Sequence, residues 1–315
     1  MCGEVGVLQT SGVIEWRSSG LSTVMMKQIV NKIIRGGARY LPQNKTKPLV
    51  TYRENIVQIC RVCNDVTHPF QEAYGKFWYH CPNCDFLQSE VSRLLLSALN
   101  KGQGLGAGTG VGGGGYREYW ISKLLHEELG LSRILLYGTG NTPTFQKLYE
   151  EGVDVWGCDI SADLVADRKE RYRERFFDAR EFPQLRFDVI IAVEVLEHLL
   201  TPMKIFKLFS EHLTSDGMVA GTTDFYEGGD ISEHIYVKSP LHISYWSKQS
   251  LQSAASSIGR FVSLFKLECP GSVYPDEKFG VLWPRKRVFF LYSEKFTDYF
   301  RNLAERYQIL PIDKP

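Results

Sequence analysis

The sequence predicts an α/β protein built on an open, doubly wound sheet and preceded by a small module stapled by cysteines. From Tyr116 onward, short apolar runs alternate with amphipathic stretches of about ten to fifteen residues, the rhythm of parallel β-α-β units. Before them, Cys60-Arg-Val-Cys63 and Cys81-Pro-Asn-Cys84 stand seventeen residues apart, within the spacing of two knuckles around one metal ion. Between these two regions lies KGQGLGAGTGVGGGG, with nine glycines in fifteen residues. No strand leads into this segment and no Lys-Ser/Thr leaves it, so it reads as a flexible linker rather than a phosphate-binding loop.

Taken in order, residues 1–50 form an extension. Its first 24 residues carry little periodic signal and precede Met25 and Met26, as an upstream start codon would leave them. MKQIVNKIIRGG groups Ile29, Ile33 and Ile34 on one side, which predicts a short amphipathic helix docked on the protein's own body. Residues 51–100 hold the cysteine module and a helix in SEVSRLLLSALN, and 101–115 the linker. The sheet domain spans 116–292. Helices are predicted in YREYWISKLLHEELG, PTFQKLYEEG, SADLVADRKERYRERF, EVLEHL, PMKIFKLFSEHLT and SKQSLQSAASSIG. Strands are predicted in RILLYG, VDVWGCD, the stretch around Phe177, FDVIIAV, GMVAGTT, RFVSLFKLE and RKRVFFLYS. A helical tail occupies 293–315.

Lys and Arg total 37 against 36 acids, so no broad positive field gathers a polyanion, which disfavours nucleic acid as substrate. No apolar run is long enough to span a bilayer and no secretory signal opens the chain, which predicts a cytoplasmic protein. In that compartment cysteines serve as ligands or buried thiols rather than disulfides. Each Cys-x-x-Cys turn aims two thiolates at one point, so Cys60, Cys63, Cys81 and Cys84 predict a closed, structural zinc site. Cys2, Cys158 and Cys269 are left unpaired.

ILLYGTGNTPTF delivers a strand into Gly138, Thr139 and Gly140, where backbone N–H groups can approach a ligand closely. Thr142 and Pro143 replace the last glycine of either common nucleotide-binding turn, and suit a helix cap and a first helical residue respectively. Asp159 ends the next strand twenty-one residues after Gly138, placed to accept from ribose hydroxyls. Asp178 ends the third strand, placed to accept from an adenine amino group.

Asp159-Ile160-Ser161, Asp178-Ala179, Phe187-Asp188-Val189-Ile190, Glu194-Val195-Leu196-Glu197-His198-Leu199 and Asp216-Gly217 together resemble the class I S-adenosylmethionine-dependent methyltransferases over residues 116–292. The resemblance implies a Rossmann-like sheet of seven strands, S-adenosylmethionine as donor, and Gly138, Thr139, Gly140, Asp159, Ile160, Asp178, Ala179 and Glu194 as its binding residues. Leu136 departs from the family, which has an acid there, and Thr142 from its third glycine. The preceding four-cysteine ribbon is similar to that of C-methyltransferases of deoxysugars and related natural products. Their Tyr-x-Glu-His run is matched at His242, with Leu241 in the glutamate's place.

A methyltransferase aligns its acceptor and removes a proton, work suited to a histidine with a pKa near neutrality. His242 is the first candidate for that base, followed by His198 and by the pair Glu233 and His234. The expected reaction is methylation of a small molecule, a sugar nucleotide or another secondary metabolite. A second expectation uses Glu194, Glu197 and His198, spaced to share one helical face, with His242 as a fourth ligand for Mg²⁺ or Mn²⁺. That set resembles the metal site of small-RNA 3′-terminal 2′-O-methyltransferases. A third is a degenerate methyltransferase that serves only as a binding or scaffold module.

Overall fold

Ile134, Leu135 and Leu136 are all fully buried, so the strand that carries them is covered on both faces. That strand is an interior strand of the larger sheet in the computed structural model, which describes residues 7–10, 13–16, 58–91, 93–101, 113–265 and 286–306. The chain divides into two units, Met1–Arg53 and Glu54–Pro315. Of the first, the structure describes one antiparallel hairpin, β1 (Val7–Thr10) with β2 (Val13–Trp16). The helix expected in MKQIVNKIIRGG lies outside the described residues, as do Cys2, Cys269 and most of the glycine linker.

In the second unit the cysteine module contributes β3 (Gln58–Ile59), β4 (Val66–Ala73), β5 (Lys76–His80) and β6 (Leu87–Ser89). Tyr74 and Gly75 join β4 to β5 with φ of 52° and 72°, the left-handed pair that a two-residue hairpin turn requires. Helix α1 (Arg93–Asn100) follows, then α2 (Gly113–Leu129), which starts three residues before the expected Tyr116.

The large sheet is built from β7 (Arg133–Tyr137), β8 (Asp154–Asp159), β9 (Phe176–Asp178), β10 (Phe187–Val193), β11 (Leu213–Asp224), β13 (Phe261–Phe265) and β14 (Lys286–Tyr292). Its order is β13-β14-β11-β10-β7-β8-β9. The five strands from β11 to β9 are parallel, and β14 runs antiparallel to both β11 and β13. The chain leaves β7 towards β8 and β9, then crosses back to β10 on the other side. Such a reversal opens a crevice at the carboxyl ends of the two strands between which it occurs, here β7 and β10.

Helices α3 (Thr144–Glu150), α4 (Ala162–Tyr172), α5 (Pro202–His212), α6 (Lys248–Ser257) and α7 (Thr297–Arg306) complete the unit. Alternation along β7 splits the core. Ile134 and Leu136 pack with Ile121 and Leu125 of α2, while Leu135 and Tyr137 pack with Phe206 and Phe209 of α5.

The cysteine module and the large sheet share one unit because β12 (Ser244–Tyr245) pairs antiparallel with β6, giving the order β12-β6-β5-β4-β3. Arg61 donates to Ile243 O at 3.1 Å and Ser89 O at 2.6 Å, and Phe86 meets Trp246 edge-on with centroids 4.9 Å apart. The module thereby fixes the loop that carries His242.

Candidate functional site

The two cysteine turns fold alike. Cys60 N donates to Asp65 O and Asn64 N to Cys60 O, and Cys81 N donates to Phe86 O and Asp85 N to Cys81 O. The residue after each second cysteine, Asn64 or Asp85, takes a positive φ of 63° or 56°, which Asn and Asp tolerate best among side-chain-bearing residues. The four Sγ atoms lie within 4.8 Å of one another, with Cys60–Cys84 at 3.6 Å and Cys63–Cys81 at 3.4 Å, and none is in a disulfide. Four sulfurs at that separation suit a tetrahedral ion with bonds of about 2.3 Å. A hydrogen bond from Cys84 pulls the Cys60 thiol down to about 5, while burial pushes Cys81 up to about 11. Cys158 is buried in the sheet, and desolvation holds its thiol protonated.

At the end of β7, Gly138 and Gly140 take φ of 73° and 53°. A Cβ on Gly138 would lie 2.9 Å from Val195 Cγ2, across the mouth of the crevice, whereas one on Gly140 would meet no described residue within 4 Å. Gly138 N and Thr139 N both donate to Cys158 O, and Gly140 N donates to Asp159 Oδ2 at 2.9 Å. Asp159 also accepts from Ser161 N through Oδ1, so the acid at the tip of β8 pins the turn open. Asp159 and Asp178 are register partners at the ends of β8 and β9, and Ala179 N donates to Asp159 O. Ile160, next to Asp159, is partly buried against the core. Asp178 is held by Arg180, whose ion pair and hydrogen bonds keep its pKa low.

Two local expectations fail. Thr142 does not cap α3: Pro143 precedes its first residue, and the Thr142 hydroxyl sits 3.1 Å from Glu118 Oε2 and 3.2 Å from Thr139 O. EVLEHL is not an α-helix. Glu194 takes a φ of 55°, and only a 3₁₀ turn, Leu196–His198, follows. The expected shared helical face does not exist. Glu194 accepts from Thr222 Oγ1 at 2.7 Å and faces Arg117 at 3.5 Å.

Glu197 and His198 instead converge with His242, their ligand atoms within 4.8 Å of one another. Glu197 is 1% exposed. Its Oε2 accepts from Thr223 at 3.1 Å, but its Oε1 has no partner among the described residues, and burial lifts its pKa to about 7. His198 Nδ1 lies 3.0 Å from Leu241 O and His242 Nδ1 2.7 Å from Tyr236 O. Because a carbonyl only accepts, both rings carry the proton on Nδ1 and present an Nε2 lone pair. Burial, with the neighbouring His198, lowers the His242 pKa to about 3 rather than the near-neutral value expected of a base. His234 is buried and shares a 2.6 Å hydrogen bond with Tyr245 Oη, while Glu233 is exposed, so the expected acid and imidazole pair is not assembled.

Glu118, Thr223 and Tyr236 were not legible as site residues. Glu118 alone left a signal, as an acid on the apolar stripe of α2.

A groove of about 910 Å³ lies where the module meets this edge of the sheet, lined in part by Phe70, His80, Asp85, Tyr226, Lys248 and Gln249. Ring contacts run from it to the histidine pair: Phe70 to Tyr226 at 6.1 Å, Tyr226 to Tyr245 at 5.5 Å, Tyr245 to Tyr236 at 5.2 Å, Tyr236 to His242 at 4.4 Å and His242 to His198 at 4.9 Å. No helix among the described residues is long and apolar enough to cross a membrane.

Compared with known proteins, residues 85–259 match a family model described as a methyltransferase domain. Among solved structures the chain is similar to one in the complex between the Haloferax volcanii Trm112 methyltransferase activator and a methyltransferase, at 13% identity over 65% of this chain and 99% of that one, with a TM-score of 0.45. It is also similar to the plantazolicin methyltransferase BpumL in complex with SAH and a desmethylPZN analog, at 12% identity, 57% and 84% coverage and a TM-score of 0.41. The methyltransferase domain of bacterial CtHen1-C gives 15% identity, 57% and 98% coverage and a TM-score of 0.40. No curated protein matches the chain.

Proposed function

We infer the reaction from one premise: the chain belongs to the methyltransferase-domain family, and is an S-adenosylmethionine-dependent methyltransferase. We propose that the donor's adenosyl group rests on the carboxyl edge of β7, β8 and β9. Asp159 and Ile160 would meet its ribose, Asp178 and Ala179 its adenine, and Gly138, Thr139 and Gly140 its methionyl side. The acceptor is a small molecule, a sugar nucleotide or another secondary metabolite, bound in the groove between the cysteine module and the sheet. The observation that carries this choice is the groove: its volume falls in the range of small-molecule sites, and its walls mix Asp85, Glu227 and Lys248 with aromatic rings instead of laying a basic track. The cysteine cluster binds zinc as a structural staple of one groove wall. Methyl transfer from labelled donor to sugar nucleotides or phenols tests the choice; transfer to RNA alone would overturn it.

A second reading of the acceptor chemistry is favoured by the Glu197 Oε1, which has no hydrogen-bond partner among the described residues, in a carboxyl whose ligand atom lies within 4.8 Å of those of His198 and His242. A buried carboxylate oxygen with no donor is costly, and neutral imidazoles fixed through Nδ1 are good metal ligands. Glu197, His198 and His242 would hold Mg²⁺ or Mn²⁺, which would acidify an acceptor hydroxyl. Glu194 stays outside the set. A His242 pKa of about 3 fits a ligand better than a general base. Removal of weakly bound metal, with about one zinc per chain retained, should abolish activity, and Mn²⁺ should restore it; full activity throughout returns the proton to a side chain.

A further inference from the structure

The glycine turn lacks an acid on its own strand. Leu136, two residues before Gly138, is fully buried and packs with Ile121 and Leu125 beneath α2. A side chain at that position therefore faces α2. Glu118 lies on the same inward stripe of α2, three residues before Ile121 and seven before Leu125. It is 3% exposed, and its Oε2 is 3.1 Å from the hydroxyl of Thr142, the residue that replaces the third glycine. A carboxyl thus reaches the turn after all, from the helix instead of the strand.

Its surroundings ask for a cation. Two hydroxyls, Thr142 and Thr144, face it, and the neighbouring charge is another acid, Asp159; burial pushes the Glu118 carboxyl up to about 8. Among the described residues no lysine, arginine or histidine pairs with it: the adjacent Arg117 turns to Glu194 on the β10 side. A buried carboxyl beside a second carboxylate, with no basic partner, is an arrangement that a positively charged ligand relieves.

We propose that Glu118 binds the α-ammonium of the donor's methionyl end, taking over the duty that the strand position occupied by Leu136 leaves undone. The proposal rests on the donor-binding reading above and adds a residue to it. Glu118 is not a group that moves the methyl or the acceptor's proton; it orients the donor so that the methyl points towards the groove.

Calorimetric titrations with S-adenosylhomocysteine and with 5′-methylthioadenosine test it. The two ligands share the adenosine and the thioether, and only the first carries the amino-acid end. Glu118→Gln keeps the shape and the hydrogen bond to Thr142 but cannot give up a proton to become a carboxylate when the ammonium binds. The expected result is a loss of roughly tenfold to a hundredfold in affinity for S-adenosylhomocysteine, the worth of a charge-assisted hydrogen bond, with 5′-methylthioadenosine bound as by the unaltered protein. Equal losses for both ligands, or none for either, would overturn the proposal, because a carboxyl that only props the turn affects both alike. Should Glu118→Gln not fold, Glu118→Asp is read by the same ratio. If the unaltered protein binds neither ligand, the donor-binding reading itself has failed.

Discussion

Alanine at Gly138 and at Gly140, introduced one at a time, separates what the fold requires of the turn from what a ligand requires. Both residues have positive φ, 73° and 53°, so each alanine costs about 1–2 kcal/mol of backbone strain. At Gly138 the new Cβ also falls 2.9 Å from Val195 Cγ2, and displacing that packed side chain adds about 1–3 kcal/mol. At Gly140 no described residue lies within 4 Å, so strain is the cost to the fold. With roughly 2–4 °C lost per kcal/mol in a unit of this size, Gly138→Ala should melt about 4–20 °C lower and Gly140→Ala about 2–8 °C lower. Binding should show the opposite order. On the proposed placement the donor approaches the backbone over Gly140, so Gly140→Ala should weaken S-adenosylhomocysteine about tenfold or more at temperatures where the variant is fully folded. Thermal melts and calorimetry on the same preparations give both numbers. A Gly140→Ala protein that binds the ligand like the unaltered chain would refute the placement of the crevice.

Three further outcomes follow from the same geometry. Elemental analysis should find one zinc per chain, and Cys81→Ser should lose it and unfold the module, since a structural site of this kind contributes on the order of 10 kcal/mol; a metal-free protein with unchanged melting would refute the staple. Glu197→Gln should abolish any Mn²⁺ dependence of activity while leaving S-adenosylhomocysteine binding within about twofold, because Glu197 clusters with His198 and His242 and accepts from Thr223; a matching loss of donor affinity would contradict that separation. Burial raises the Glu118 carboxyl from 4.5 to about 8, so between those values the native state holds a proton that the unfolded chain has released. Its contribution is full below pH 4.5 and fades as pH rises to about 8, so stability should fall relative to Glu118→Gln by about 2–5 kcal/mol across that window in denaturant titrations. Parallel profiles for the two proteins would remove the shift.

The parallel strands were legible because their residues are buried on both faces, as Ile134 to Leu136 show, and continuous apolar runs between helices have few other readings. The cysteine cluster was legible because spacing alone decides whether two turns can share an ion. What stayed hidden depended on partners distant in sequence. The two residues of β12 carry no strand signal of their own, yet their pairing with β6 ties the module to the sheet. The spacing of Glu194, Glu197 and His198 fits a helix, but the Glu194 conformation breaks it, and the histidine that completes the cluster comes from forty-four residues further on. Thr142 looked like a cap because its local sequence suits one; the buried carboxyl of Glu118, twenty-four residues earlier, takes up its hydroxyl.

The measurement closest to the central claim is a titration of the purified protein with S-adenosylhomocysteine, followed by the same titration on Asp159→Ala. The geometry predicts one saturable site per chain in the unaltered protein and a loss of at least about tenfold when the acid that should meet the ribose is removed. A protein that gives no heat with this ligand, or that binds it equally well without Asp159, would contradict the crevice at the ends of β7 and β8 as the donor's seat and leave a zinc-stapled scaffold in its place.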